Sequence, residues 1–375
     1  MRVLLLFPGE LSKLYNDNVY SYIAVQKSGA EILAICGRRS STKKGEPVPE
    51  RENIDGMAVE RLFHDAADMK RSWRQKYTEI HDLTCTFKPD IIFCSQQSNM
   101  PLAIRLRREF SIPLILLVES AYNPEKPFLF VGPRRAMRSR FIATVLGRLH
   151  WRWLCYHSTS IITCNHGDVQ NGRIVNTCGT PITYVPWPSH RSVNSACTEK
   201  ARHQATFIGA FSDHKNMNEF EVTIPRILSA LPSLTFVFVG DGKHRGVVVE
   251  LQRKYPKQIS WIISMSRNDC LRLIAGSYFA YSPAVYGGWG FIGDAWAMKT
   301  PLVATCNHYG FHDGDDCVLT TADSIVTRIQ ELYADAQMYQ RIQRNGYRRF
   351  RLQHDASQVG MKYYEVIRGT LQNQQ

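Results

Sequence analysis

The sequence has no Cys-x-x-Cys pair, and its ten cysteines, at 36, 85, 94, 155, 164, 178, 197, 270, 306 and 317, form no cluster. That spacing argues against a zinc ribbon or a dithiol redox centre, so reduced thiols filling the core are the simpler reading. The twelve histidines make no HxxH or HExxH pattern, which leaves no familiar zinc spacing. Long apolar runs are missing as well. Val3 to Phe7 is followed at once by Pro8, Gly9 and Glu10, too short for a signal-peptide core or a membrane span, and the chain reads as soluble and cytoplasmic. No short-period repeat and no low-complexity tract occurs. Acid is the scarcer charge. With 46 Lys plus Arg against 33 Asp plus Glu, the net charge is +13, which calls for an anionic partner; a small nucleotide-linked substrate, an acidic membrane surface and a nucleic acid all qualify.

What is present is ordinary globular composition, 44% hydrophobic and 21% charged over 375 residues. That is enough for two domains of roughly 150 to 200 residues. Short Val/Ile/Leu-rich runs at Val3–Phe7, Glu31–Cys36, Asp90–Cys94, Pro113–Val118, Ser160–Cys164 and Ile182–Val185 read as buried parallel strands. Helical segments near Val19–Ser28, Ala66–Phe87, Leu102–Phe110 and Arg134–Tyr156 lie between them. Pro186-Trp187-Pro188 and the polar stretch Ser189–Gln204 then mark a boundary. The alternation restarts with strands Ala205–Ile208, Thr235–Val239, Ile259–Ile263, Tyr278–Tyr281 and Leu302–Thr305, and helices Met217–Ala230 and Phe291–Met298. The expected class is α/β: two Rossmann-like doubly wound domains facing a cleft, over residues 1–188 and 205–350, joined by a linker at 189–204. Residues 351–375 are expected as a C-terminal helix crossing back to the first domain.

The most informative stretch runs Tyr281-Ser282-Pro283-Ala284-Val285-Tyr286-Gly287-Gly288-Trp289-Gly290-Phe291-Ile292-Gly293-Asp294-Ala295-Trp296-Ala297-Met298-Lys299-Thr300-Pro301-Leu302-Val303-Ala304. A strand end enters a glycine-rich turn and a helix follows, so unpaired backbone amides and the helix dipole would face an anion such as a diphosphate. A tight turn needing glycine for its backbone angles is the plainer reading of the glycines alone. The whole segment resembles the donor-site motif of GT-B glycosyltransferases of family 4: an acid, a glycine-rich turn, a second acid eight positions on, then Ala-Met-Ala-x-Gly-Thr-Pro-Val-Val. The resemblance implies that Asp294 holds the ribose hydroxyls of a nucleotide-sugar donor, with Gly287, Gly288, Trp289, Gly290 and Phe291 lining the donor. Tyr286 falls at the first acidic position, beside the transferred sugar, and is the candidate catalytic residue there.

Further residues take roles from the same resemblance. Phe207-Ile208-Gly209-Ala210-Phe211-Ser212-Asp213-His214-Lys215-Asn216 is similar to the family's Gly-Arg-x-x-x-x-Lys-Gly segment, with Lys215 at the lysine that meets the diphosphate and Ala210 where the arginine stands. Ile262–Arg267 lies where the nucleobase binds, which makes Arg267 a candidate. Gly9, closing strand one, faces donor phosphates and acceptor, and Glu119, after Ile112-Pro113-Leu114-Ile115, is the candidate that touches the acceptor. The implied activity is transfer of a hexosyl or similar sugar from a UDP- or GDP-linked donor, retaining and metal-independent, with no separate cofactor.

Two features stand outside the motif. Val131 to Trp153 carries six arginines and no acid. At helical spacing Arg134, Arg138, Phe141, Val145, Arg148 and Arg152 form one stripe, and Arg135, Ile142, Leu146, Leu149 and Trp153 the next. Such a helix suits an anionic membrane surface, and so a lipid-linked or membrane acceptor, as well as a core-packed helix with a solvated arginine side. Nucleic acid phosphate would meet the same arginines, which keeps a nucleic-acid acceptor open. Asp313-Gly314-Asp315 is a DxD triplet outside the donor motif and reads as an acidic surface turn. A ligand-binding GT-B protein without turnover also stays open, favoured by Tyr286 and Ala210.

Overall fold

The computed structural model describes residues 1–13, 18–38, 48–118, 140–164, 179–189, 200–285, 289–307 and 309–373, the side chains of 140–144 excepted. In the first strand, β1 (Arg2–Glu10), Val3, Leu5 and Phe7 enter one apolar cluster while Leu4 and Leu6 enter another. Alternate side chains of a strand point to opposite faces, so both faces of this sheet are covered, as the continuous apolar run predicts. The other strands are β2 (Glu31–Gly37), β3 (Arg51–Ile54), β4 (Met57–Phe63), β5 (Ile91–Ser95), β6 (Leu114–Val118), β7 (Ser160–Thr163) and β8 (Ile182–Tyr184). They lie in the order β3-β4-β2-β1-β5-β6-β7-β8, parallel throughout except that β3 runs antiparallel to β4.

Between them run α1 (Asn18–Lys27), α2 (Ala66–Ser72), α3 (Tyr77–Phe87), α4 (Met100–Phe110) and α5 (Arg140–His157). The helix expected over Ala66–Phe87 is therefore two. The Asp65 side chain caps the first by accepting from the Asp68 amide at 2.8 Å, and a turn closed by the Gln75 amide on the Ser72 carbonyl at 2.9 Å separates them. The β3–β4 hairpin was not among the expected strands. Its turn, Asp55-Gly56, has φ of 50° and 93°, the two positive angles of a type I′ turn, and the Gly56 amide donates to Asn53 Oδ1 at 2.7 Å.

Contacts divide the chain into a first unit, Met1–His190 with Asp355–Gln375, and a second unit, Arg191–His354. The last helix of the chain, Ala356–Gln372, is capped by the Asp355 carboxylate and belongs to the first unit. Its Val359, Tyr363 and Ile367 join Val19, Tyr22 and Ile23 of α1 in one apolar cluster, with Tyr364 and Val366 packed at its edge. Gly360 sets the closeness of that crossing, because a Cβ there would fall 2.4 Å from the Ser21 carbonyl oxygen. Ser189 is bridged to Asp355, so that end of the expected linker is paired, while 190–199 lie outside the described residues.

The second unit holds β9 (Ala201–Ile208), β10 (Thr235–Val239), β11 (Ile259–Ile262), β12 (Ser277–Ser282), β13 (Leu302–Ala304) and β14 (Val318–Leu319), all parallel, in the order β11-β10-β9-β12-β13-β14. Helices α6 (Met217–Ala230), α7 (Arg245–Lys254), α8 (Arg267–Gly276), α9 (Trp289–Ala297), α10 (Ile325–Ala334) and α11 (Ala336–Arg349) connect and follow the strands, before a π-helical stretch at Phe350–His354. The helix from Ala356 is α12. Phe207, Phe220, Phe236, Phe238 and Tyr281 pack edge to face in the core of this unit. The strand order reverses direction between β1 and β5 in the first sheet and between β9 and β12 in the second. In open α/β sheets, ligands bind beyond the carboxyl ends of the strands at such a reversal.

Candidate functional site

The reversal in the second unit is where the motif residues of that unit gather. After β9 the chain passes through buried Phe211 to a 3-10 turn, Asp213–Lys215, and Asn216 at φ 50° starts α6. The Phe211 amide donates to the Asp241 carbonyl at 2.9 Å and the His244 amide to the Phe211 carbonyl at 3.0 Å, which fastens this loop to the Gly240-Asp241-Gly242 turn after β10. Gly240 permits the approach: its φ is 141°, and a Cβ would fall 2.0 Å from the Gly209 carbonyl oxygen. Hydrogen bonds from His244 and Lys243 hold the Asp213 carboxyl below its usual range. Lys215, half-buried, keeps its backbone in the turn through its amide on the Ser212 carbonyl at 3.0 Å.

The loop after β12 comes to the same place. The Val285 amide donates to the His214 carbonyl at 3.1 Å, so the Lys215 turn and the approach to the glycine-rich run are tied by a backbone bond across the strand reversal. Tyr286, Gly287 and Gly288 lie outside the described residues. α9 starts at Trp289, and there the structure separates backbone from side-chain roles. The Trp289 ring is buried, stacked on His354 with centroids 3.9 Å apart, and Phe291 packs against Phe207 at 5.4 Å, so both side chains are core contacts. Gly290 is exposed in the first turn of α9, and Asp294, four residues on, shares its helix face.

Asp294 is held by Arg267, the first residue of α8. The guanidinium meets both carboxylate oxygens, Nη2 to Oδ1 at 2.6 Å and Nη1 to Oδ2, a two-pronged pair. The Asp294 side chain is 3% exposed and that of Arg267 47%. The sequence nominated these two residues separately, and the fold joins them. Beyond them Lys299 stands where the motif has glycine and takes φ 52°, its ammonium 4.9 Å from the Tyr347 ring centre. Thr300 is buried and structural, donating to the Ile274 carbonyl at 2.7 Å and accepting from Lys200 at 2.6 Å.

In the first unit Gly9 has φ 125° near the carboxyl end of β1, beside the reversal toward β5, and precedes buried Glu10, whose carboxylate accepts from Ser12 at 2.6 Å. Glu119 follows β6 and lies outside the described residues. A residue the sequence reading passed over is Arg61, whose side chain is fully buried and donates to the Leu11 carbonyl at 2.8 Å, the Pro49 carbonyl at 2.9 Å and Glu52 at 2.6 Å. It anchors the segment leaving β1. Its signal was an arginine at an inward position of the alternating strand β4. Burial pushes the nearby Cys36 thiol up to about 12, so it is an inert core group.

The DxD triplet is spent on structure. Asp313 accepts from the Leu319 amide at 2.9 Å and Arg328 at 2.6 Å, and Asp315 from Asn345 at 2.6 Å. Among the described residues no group of three or more His, Cys, Asp or Glu could hold a metal ion.

In α5 the side facing the core is Trp151, Leu154 and Cys155. Both expected stripes are consequently outward where described: Arg148 and Arg152 are exposed, and so are Val145, Leu146 and Leu149, the last at 60%. Trp153 is half-buried, and Arg134 and Arg138 lie outside the described residues. No helix among the described residues is long and apolar enough to cross a membrane.

Two parallel α/β units, each with a strand-order reversal, define a GT-B glycosyltransferase fold, and solved structures agree over nearly the whole chain. Sucrose-phosphate synthase from Thermosynechococcus elongatus aligns with a TM-score of 0.74 at 11% identity, covering 98% of each chain. Anabaena Alr3699/HepE, solved in complex with UDP-glucose, gives 0.66 at 13% identity over 98% of this chain and 100% of that one. WaaG, a glycosyltransferase involved in lipopolysaccharide biosynthesis, gives 0.64 at 12% over 97% and 99%. The family is indicated by sequence in the second unit, where residues 202–335 match the model of the glycosyl transferases group 1. No curated protein matches the chain.

Proposed function

We propose that this protein is a glycosyltransferase that takes a sugar from a nucleotide-sugar donor bound at the carboxyl ends of β9 and β12. The observation that carries the reading is the assembly at that strand reversal. The Lys215 turn is tied to Val285, and the Arg267–Asp294 pair stands on the face of α9 that also exposes Gly290, all within the segment matched by the group 1 family. Lys215 meets the donor diphosphate together with amides at the start of α9, and Asp294 takes the ribose hydroxyls. HepE has been solved with UDP-glucose, which supports a UDP-linked donor here, with GDP as the alternative. Transfer with retention and without a metal ion is the mechanism we assign, the donor phosphate taking the acceptor's proton; the motif resemblance gives Tyr286 a role at the transferred sugar, and Gly9 and Glu119 roles at the acceptor.

For the acceptor, a lipid-linked or membrane glycan is favoured over nucleic acid. The outward face of α5 mixes Arg148 and Arg152 with Val145, Leu146 and Leu149. An anionic bilayer takes up both kinds of group, whereas nucleic acid phosphate pairs only with the arginines. The protein then works as a peripheral enzyme at the membrane. Incubation with UDP- and GDP-linked sugars, followed for hydrolysis and binding, tests the central statement; turnover of any donor supports it. Binding without turnover would point to the ligand-binding reading that Tyr286 and Ala210 favour, and no binding of any donor would refute both.

A further inference from the structure

An acid opens the helix that follows the Lys215 turn, although the ligand proposed for that turn is itself an anion. It is Glu219, in the first turn of α6. Its two oxygens meet two different elements. Oε2 accepts from Asn216 Nδ2 at 2.7 Å, and Oε1 accepts from the Tyr281 hydroxyl of β12 at 2.9 Å. Tyr281 is fully buried, and its hydroxyl also lies 3.2 Å from Thr223 Oγ1, which donates to the Glu219 carbonyl at 2.9 Å. Burial first, then the Glu219 carboxylate, push the Tyr281 phenol well above its usual range, so it keeps its proton and donates. The result is a strut from the end of the Lys215 turn to the strand across the reversal.

Asn216 makes the strut possible. It stands where the related motif has glycine and takes φ 50° and ψ 47°, a left-handed conformation that glycine reaches freely and asparagine bears better than most residues. Glycine would give the same turn with no side chain to hold it. The Lys215 side chain lies back along the end of β9, its Cε 4.0 Å from where a Cβ on Gly209 would stand. Ala210 takes the place of the motif's arginine, so within 209–216 no second Lys or Arg shares the work of Lys215.

We infer that Glu219 is a positioning residue for Lys215: through Asn216 and Tyr281 it fixes the exit of the turn against β12, and with it the root of the lysine side chain. This rests on the donor-site reading above. Backbone bonds keep the turn folded, and the strut holds it in one place. An ammonium on a flexible four-carbon stem gains from a fixed root, because less freedom is then lost when it meets a phosphate. Two other roles for this acid predict different outcomes. A carboxylate acting only by its charge would oppose an anion, so its removal would strengthen diphosphate binding. One acting only on the start of the helix would change stability and leave the phosphate contribution alone.

The test reads the phosphate contribution, the ratio of affinities for a nucleoside diphosphate and its nucleoside, by calorimetry with UDP, GDP and ADP against uridine, guanosine and adenosine. Glu219→Ala and Asn216→Gly, the latter keeping the left-handed turn, should each lower the ratio about threefold to tenfold. Glu219→Gln loses the charge but keeps an oxygen for Asn216 and an amide for the Tyr281 hydroxyl, and should hold the parental ratio. In a Lys215→Ala background Glu219→Ala should have no further effect, because a positioning residue acts only through the group it positions. If Glu219→Ala does not melt cooperatively, Asn216→Gly takes its place in every comparison. A ratio unchanged or raised in Glu219→Ala and Asn216→Gly, with Lys215→Ala still lowering it, overturns the positioning role and leaves the donor site intact. So does a Gln variant as weak as the Ala variant, or a loss that persists in the Lys215→Ala background. If no diphosphate binds the parent, the donor-site reading itself fails, and the role of Glu219 with it.

Discussion

Replacing Lys215 with alanine removes the one Lys or Arg in the stretch 209–216, where Ala210 takes the place that arginine has in the related motif. The loop should survive the change, because it is held by backbone bonds: Lys215 to Ser212 at 3.0 Å, Asn216 to Asp213 at 3.2 Å and Val285 to His214 at 3.1 Å. What is lost is the ammonium of a half-buried lysine, which the proposed donor site sets against the diphosphate. At 4 Å and an effective dielectric near 20 such a pair is worth about 4 kcal/mol before desolvation. Hydrogen bonds to charged groups retain a net of about 1.5–3 kcal/mol. Affinity for UDP or GDP should therefore fall about tenfold to a hundredfold. Calorimetry with the diphosphates and, in parallel, with uridine and guanosine separates the cause, since the nucleosides have no phosphate to lose. An equal loss for nucleosides, or no loss for diphosphates, would show that Lys215 does not serve the phosphate.

Activity in a donor turnover assay should persist in EDTA; inactivation reversed by Mn or Mg would refute the metal-free mechanism and return attention to Asp313 and Asp315. Arg148→Glu with Leu149→Glu should abolish co-sedimentation with anionic vesicles, each arginine near the surface contributing about 1 kcal/mol, and parental binding should weaken as salt is raised. A DNA shift assay on the same proteins is expected to be negative, and a shift lost in the variant would favour nucleic acid instead. Tyr363→Ala empties a fully buried site between Tyr22 and Phe93 and should destabilise the first unit by about 3–5 kcal/mol, measured by denaturant melting. A variant as stable as the parent would mean that α12 does not complete that core.

Much of the architecture could be read because doubly covered parallel strands are continuous apolar runs with little room for another interpretation, as in Val3–Phe7 and Leu114–Val118. The β3–β4 hairpin went unread although Asp55-Gly56 is a strong turn signal, since Arg51–Ile54 is three-quarters exposed and carries no apolar pattern. The break at 73–76 has neither glycine nor proline to announce it. At the site, the motif gave positions but not directions. Trp289 and Phe291 took donor roles from the motif resemblance, yet helical geometry turns their rings into the core. The Arg267–Asp294 pair joins the start of α8 to the second turn of α9, helices that the chain separates by a strand, a relation no local pattern encodes.

The return of α12 to the first unit bears on how the chain is made. A ribosome delivers the whole of the second unit, through His354, before it delivers the helix that covers Val19, Tyr22 and Ile23. Domains ordinarily finish folding in the order of synthesis. Here the unit begun first is finished last, and its α1 face stays open to chaperones and to other nascent chains throughout translation of the second. Cutting the product between its units also takes two incisions, near 190 and near 354: after a single nick in the 190–199 segment the second unit stays covalently joined at 354–355 to α12, and α12 is packed against α1 of the other fragment.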